Sequence, residues 1–486
     1  MRTLQVLRLV FALLIGLQSS LSTFAGDHHH HFVKLKAAIS KDCQSRSDEA
    51  WKQALKIWEF AELGYKEQQS SQLLISVLEQ NGFRVERGVA GMPTAFLATY
   101  GSEAPTIGLL AEYDALPGLS QQAVPTQLPR DESHNGHGCG HHLFGVASVY
   151  AAISLSKHIE VGRLKGSIKL YGCPAEEGGS GKVFLVRAGL FENVDAVMHW
   201  HPANRNAGGS RSCLSRIAVR YRFHGKSAHA AGAPEQGRSS LDAVSLCNHA
   251  SELMREHTPE GTRIHHVITK GGDAPNVVPD FAEVYYYVRH PKSHIVADLY
   301  KRLTLCAKGA ATATQTELEV VAEGGIVEIL PNNVLAQLLL KNLKEQCHIK
   351  YDQKELEFAL KLQKTFSQSV PLSEAGKVHD ESGQTGRGST DVGDVSWVVP
   401  TGGFRTACWV PGTPGHSWQA TACGGTTIGK KGMDLATVTL ALSAAELMSH
   451  HGLLKLAKQE HQKRLDIQPY QSLMPAGMKP PLNYRD

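Results

Sequence analysis

The sequence predicts an α/β protein with a second, α+β unit inserted into it. Apolar runs of strand length alternate with helical periodicities between residues 94 and 200. That alternation is the pattern of a layered sheet with mainly parallel strands. Between Ile217 and Val321 the order becomes β-α-β-β-α-β, the ferredoxin-like unit. Helical patterns resume after Pro331, so the second unit interrupts the first. The chain has 486 residues, 42% hydrophobic and 20% charged, enough for more than one core. This composition excludes disorder, collagen and coiled coil.

The elements follow in order. Arg2 and Arg8 precede an apolar run, Leu9 to Leu17, and a small-residue exit ending at Ala25. This is the secretory signal pattern, and the apolar run is far shorter than the roughly 20 residues that span a bilayer. Residues 1–25 are therefore expected to be a signal peptide. The mature protein is expected to be periplasmic or secreted, with no membrane association. Residues 26–46 read as a leader, in which His28 to His31 are either a metal-collecting tail or a disordered stretch. From Ser47, Trp51, Leu55, Trp58, Ala61 and Leu63 recur at mostly three- and four-residue steps, which predicts a helix. A second helix is expected from Ser70 to Gln80.

Strands are expected at Thr94–Tyr100 and Thr106–Glu112. The second is almost wholly apolar, as for a strand buried on both faces. Helix His142–Ser156, strand Gly166–Gly172, helix Gly181–Ala188 and strand Asp195–Trp200 complete a first catalytic segment, 47–212. The inserted unit, 213–324, has strands at Ile217–Phe223, Arg263–Thr269, Phe281–Arg289 and Glu317–Val321. Its helices are expected at Ser240–Glu256 and Ile295–Thr312. The sheet domain returns over 325–486, with a long helix at Leu435–Met448. The last 30 or so residues are polar and contain proline, as a surface tail does.

A formal charge of +4 over this length gives no electrostatic footprint for nucleic acid. The 25 histidines are more informative, because imidazole is a common metal ligand and acid/base group. Nine cysteines leave at least one thiol unpaired, with Cys139 the one singled out by its neighbours.

Four segments carry metal-ligand side chains. His137-Gly138-Cys139-Gly140-His141-His142 opens a helix and puts thiol and imidazole one glycine apart. Pro174-Ala175-Glu176-Glu177-Gly178-Gly179 follows an apolar strand. Its adjacent carboxylates point in different directions, so one can hold a cation while the other takes a proton from water. His199-Trp200-His201-Pro202 ends a strand, and alternation puts both imidazoles on one face. His416 lies in Gly412-Thr413-Pro414-Gly415-His416-Ser417-Trp418. Strand C-terminal ends are where open α/β sheets build sites. Thiolate, imidazole and carboxylate together suit zinc or a similar divalent ion.

These motifs resemble the M20 metallopeptidases, in the amidohydrolase branch with a Cys-Gly-His ligand pair. Other matching stretches are Glu112 to Leu116, Gly118 to Ala123, Asn135 to His141, Tyr171 to Pro174, Glu176 to Lys182, Trp200-His201-Pro202, Asn276-Val277-Val278 and Ser389 to Trp397. The likeness covers nearly the whole chain after about Ser47. It implies a mixed-sheet, zinc-peptidase-like catalytic domain with the ferredoxin-like insertion as lid and dimerisation domain. It implies two divalent ions, zinc or manganese, bridged by Cys139. His141 and His201 would hold one, and Glu177 and His416 the other. Glu176 would be the general base, and Asp114 an acid beside the metals. His229 would reach a partner subunit's site and stabilise the oxyanion. Asn276 and Arg289 would meet a substrate carboxylate. Asp391 matches a further family acid.

His199 stands where relatives carry Thr, and position 201 has the family spacing from Asp195. His142 replaces an amide or acid of relatives, where it would hydrogen-bond the site or compete as a ligand. The implied activity is hydrolysis of N-acyl or N-aroyl amino acids, p-aminobenzoyl-glutamate first, by a homodimer or a heterodimer with a related subunit. A dipeptidase or aminoacylase of the same fold, or a non-catalytic metal- or ligand-binding protein, are the alternatives.

Overall fold

A computed structural model of the chain describes residues 32–130 and 134–485. The expected signal peptide and His28 to His31 lie outside the described residues. Among the described residues, twelve strands form two sheets. The larger holds β1 (Arg84–Arg87), β2 (Phe96–Tyr100), β3 (Thr106–Glu112), β4 (Ser167–Cys173), β5 (Ala196–Ala203), β6 (Asn206–Gly208), β11 (Val378–Asp380) and β12 (Thr401–Ala407). Its order is β1-β2-β4-β3-β5-β12-β6-β11. β4, β3, β5 and β12 run parallel. The pairs β1–β2, β2–β4 and β12–β6 are antiparallel, which makes the sheet mixed. The four central strands end at one edge, so Glu112, Cys173, His201 and Arg405 come to the same side.

The helix expected at His142–Ser156 runs His141–Glu160 and is almost entirely buried. Apolar residues all round are what a helix between layers of a large core needs. Gly140 precedes it at φ 78°, and a Cβ there would sit 2.8 Å from Pro202 Cβ. Only glycine lets the Cys139 loop approach β5 this closely.

The inserted unit has strands β7 (Ser215–His224), β8 (Arg263–Lys270), β9 (Phe281–His290) and β10 (Glu317–Ile326), ordered β10-β7-β9-β8 and all antiparallel. Helices Ser240–Arg255 and Ser293–Thr314 cover one face. Ile217, Val219, Tyr221 and Phe223 alternate inward to a core separate from that of the main sheet. The opposite face carries Arg216, Arg220, Arg222, Glu283, Tyr285, Tyr287 and Arg289.

Three features differ from the sequence reading. Residues 32–45, expected within a leader, form a helix whose Leu35, Ile39 and Cys43 are buried in the main core. Their four-residue spacing is the amphipathic signal, masked in sequence by the adjoining polar His run. β12 fills the sheet between β5 and β6 although its Thr-Gly-Gly-Phe-Arg-Thr-Ala sequence lacks a strand's apolar density. The expected surface tail is also partly built in. Helix His451–Ile467 buries Ala457 and His461, Met474 is buried, and the chain end returns to the Glu177 loop. All nine cysteines are free thiols. No helix among the described residues is long and apolar enough to cross a membrane.

Candidate metal centre and active site

The five ligand-type residues expected from sequence fall into two triads that share one sulfur. Cys139, His141 and His201 form the first, and Cys139, Glu177 and His416 the second. Within each triad the ligand atoms lie within 4.8 Å of one another. A third triad joins Glu112, His141 and Glu176. Each imidazole is aimed by its other nitrogen or its loop. His141 Nδ1 donates to Asp114 Oδ1 at 2.7 Å, leaving Nε2 inward. His201 Nδ1 donates to the Pro202 carbonyl at 2.7 Å, and its Nε2 lies 3.4 Å from Cys139 Sγ. His416 Nε2 lies 3.1 Å from Glu177 Oε1.

Support behind these residues is dense. Asp114 Oδ2 also accepts the Glu177 backbone N–H at 2.9 Å, so one buried carboxylate fixes an imidazole and the Glu177 loop. Lys182, fully buried, bridges Glu112 at 2.6 Å and Asp391 at 2.7 Å. Ala175, Ser180 and His416 have φ near +55°, the left-handed region that non-glycine residues avoid. Two of them bracket the Glu176–Glu177 loop and the third is itself in a triad; such outliers gather at functional sites.

The chemistry of the donor set fits divalent cations. His141 Nε2 lies 3.1 Å from Glu112 Oε2, as His416 Nε2 does from Glu177 Oε1, yet His141 Nε2, Glu112 Oε2 and Glu177 Oε1 are buried outside hydrogen-bond geometry. Imidazole and carboxylate atoms buried this close together without a hydrogen bond are rare, and a shared cation suits them. Burial, then the Glu112, Glu177 and Asp391 carboxylates, push the Glu176 carboxyl well above the carboxylate range. Burial and Glu177 push the Cys139 thiol up. Against its burial, Cys139, Asp114 and Glu112 hold the His141 imidazolium far above its ordinary range. Hydrogen bonds to Cys139 and Glu177 raise His416 to about 11. The raised His141 and His416 express an excess of negative charge, while burial comes first for Glu176 and Cys139.

All triad residues but His141 line a cavity of about 490 Å³ that also takes in the lid residues Arg216, Tyr287 and Arg289. Two expected lid residues lie elsewhere. His229 and Asn276 are exposed and adjacent, His229 bridging to Val277 and the Ala230 N–H donating to the Asn276 carbonyl. Neither lines this chain's cavity. His199 packs where Gly403 leaves room, and burial lowers it to about 3; it joins no triad. His142 donates to the Gly424 carbonyl and also joins none. Asp391 is a partner of Lys182.

Sequence reading placed Glu112 and Lys182 in family stretches without a role, and missed Glu67, Arg216, Arg405 and the chain end. Glu112 closes an otherwise apolar strand, and Lys182 stands directly before the apolar run Val183 to Val186; both are signals of a buried charge. Glu67 is buried, accepts from Thr94 Oγ1 and Ala175 N, and is raised to about 8 by burial and Asp114. Tyr484 Oη and Arg485 Nη2 donate to the Glu177 carbonyl at 3.2 and 2.5 Å. A Cβ at Gly64 would sit 2.3 Å from Tyr484 Oη, so that glycine makes space for the chain end.

Residues 215–312 match the peptidase dimerisation domain of the M20 peptidases. Over 91% of this chain and 97% of the relative, the sequence is 38% identical to one of the subunits of p-aminobenzoyl-glutamate hydrolase from Escherichia coli. The chain belongs to the M20 metallopeptidase family. Mouse Xaa-Arg dipeptidase is 30% identical over 84% of this chain and 88% of its own length. Among solved structures, the aminobenzoyl-glutamate utilization protein from Klebsiella pneumoniae superposes with a TM-score of 0.60 at 16% identity. It covers 84% of this chain and 98% of that one. As an M20 member the chain is a metal-dependent amidohydrolase by descent, and its insertion is the family's dimerisation domain.

Proposed function

We propose that the protein is a two-metal amidohydrolase that cleaves the amide of N-acyl or N-aroyl amino acids, with p-aminobenzoyl-glutamate the first substrate to test. The observation that carries this is the pair of triads sharing Cys139, with the Glu176 carboxyl beside them. His141 and His201 would hold one ion, Glu177 and His416 the other, and Cys139 both. When bound, two zinc or manganese ions polarise the scissile carbonyl and acidify water. Glu176 then takes the proton from the attacking water and passes it to the leaving nitrogen. Asp114 keeps His141 in the tautomer that presents Nε2. His229, outside its own chain's cavity, is the oxyanion donor to a partner's site, in a homodimer or with a related subunit. Arg289 is the lid group in this cavity that meets the substrate carboxylate, and Asn276, beside His229, would meet it in a partner's site.

The similarity to a dipeptidase that acts on Xaa-Arg favours a second reading, a dipeptidase or aminoacylase of the same mechanism. The arginines lining the cavity speak against a cationic leaving residue. Protein stripped with a chelator and reloaded with zinc or manganese is assayed on aroyl-glutamates, acyl-amino acids and dipeptides. We expect turnover of the aroyl-glutamate, abolished by stripping and restored by one ion. Metal binding without any amide hydrolysis would leave only a non-catalytic metal-binding protein. Export is part of the proposal, resting on Arg2, Arg8 and the Leu9–Leu17 run. N-terminal sequencing of the mature chain should begin after Ala25.

A further inference from the structure

The lid face toward the cavity carries four arginines on two neighbouring strands, and they are treated in two different ways. Arg220 pairs with Glu283 at 2.8 Å and Glu323 at 2.7 Å; Arg222 pairs with Glu283 at 2.6 Å and Glu319 at 3.4 Å. Arg216 and Arg289, on the same face, have no carboxylate within ion-pair distance among the described residues. They stand directly opposite each other across β7 and β9. Like charges so placed repel. Both guanidinium groups lie within 5.4 Å of the Tyr287 ring centre, and both Nε atoms are buried without a partner. These two are the pair that lines the cavity.

A third arginine meets them from the other wall. Arg405 on β12 is level with His201 on the parallel β5, so both side chains leave the same face of the sheet. It lines the cavity and is largely buried. Glu381, the carboxylate whose charge acts on it, is taken by Arg205 and Arg211. No carboxylate reaches Arg405 among the described residues. Burial, and then Arg211, lower it to about 10. A buried cation is ordinarily paired, so each unpaired arginine marks a place where an anion belongs.

We infer that Arg405 is a specificity-determining residue. The cavity takes a substrate with two carboxylates, one on Arg216 and Arg289 and the other on Arg405. The substrate class is N-acyl derivatives of dicarboxylic amino acids. The inference rests on the hydrolase reading for the scissile amide, and on the arginines alone for the second carboxylate. A guanidinium fork matches two carboxylate oxygens, and no neutral amide replaces that fit.

The test compares p-aminobenzoyl-glutamate with p-aminobenzoyl-glutamine, which differ in the second carboxylate only. Calorimetric binding to metal-loaded Glu176→Gln protein gives a readout free of turnover. We expect the glutamate to bind about tenfold or more tighter than the glutamine. Adding Arg405→Gln should erase that preference while changing glutamine binding less than about threefold, and Arg405→Lys should restore part of it. Equal binding of both ligands by the Glu176→Gln protein overturns the inference with no further substitution. So does an Arg405→Gln effect equal on both ligands. Should Arg405→Gln fail to fold, the parent ratio and Arg405→Lys decide. Arg405-dependent selectivity without cleavage by the protein that retains Glu176 would refute the hydrolase reading and leave this one standing. Cleavage without discrimination would do the reverse.

Discussion

On the sheet side of the cavity Asp114 holds both His141 and the Glu177 backbone, and Lys182 bridges Glu112 and Asp391. On the lid side, His229 and Asn276 stand exposed with backbone neighbours. His229 Nδ1 accepts from the Ala231 and Gly232 N–H groups, which fixes the ring and leaves Nε2 outward. The contrast teaches that one chain preorganises its metal half, whereas the His229–Asn276 corner of its lid is oriented for something beyond its own cavity. A dimerisation domain supplies a physical reason, because a symmetric partner can exchange such residues between sites.

The sharpest way to break the sheet side is Glu176→Gln. It should retain metal, measured by elemental analysis, while kcat falls by about 10² to 10⁴. Near-normal turnover would remove Glu176 as the base. The lid side is tested by mixing inactive subunits. Separately, Glu176→Gln and His229→Ala proteins should show little activity. Mixed after dissociation, random pairing leaves one intact site in half of the dimers, so about a quarter of wild-type activity should return. No recovery in verified mixed dimers would put His229 to work within its own chain.

A smaller effect concerns pH. Burial raises Glu67 to about 8, above the 4.5 of an exposed glutamate. In that window the folded state binds more protons than the unfolded one, so this group's contribution is full below about 4.5. It is lost as pH rises through about 8. Glu67→Gln should flatten this part of the stability profile in denaturant titrations across pH 5 to 9. An unchanged slope would show Glu67 ionised in the folded state. The smallest effect is expected of Tyr484→Phe. It deletes one hydrogen bond to the Glu177 carbonyl but keeps the ring against Tyr65, and should cost about 1 kcal/mol in thermal unfolding. No loss would mean that the chain end does not support the sheet side.

The two regions were also unequally legible. The lid could be read strand by strand, because Ile217, Val219, Tyr221 and Phe223 alternate in plain sequence. In the sheet domain, β3 ends where its apolar run ends, at Glu112. β12 was missed because a strand shielded by β5, β6 and nearby helices needs little apolar surface of its own. Glycine at 402 and 403 serves its neighbours, giving room to Leu335 and His199. The helix over 32–45 was missed beside a polar run, and the chain end because its partner lies more than 300 residues away.

By itself the sequence determined the periodicities, the inserted unit and the ligand-type residues at strand ends, since all of these are patterns among near neighbours. Tertiary structure alone decided which bonds of Asp114 and Lys182 hold the site, and that Arg216, Arg289 and Arg405 share a cavity without acids of their own. A charge left unpaired depends on everything that could have reached it. That is a property of the packed interior, and no stretch of chain carries it alone.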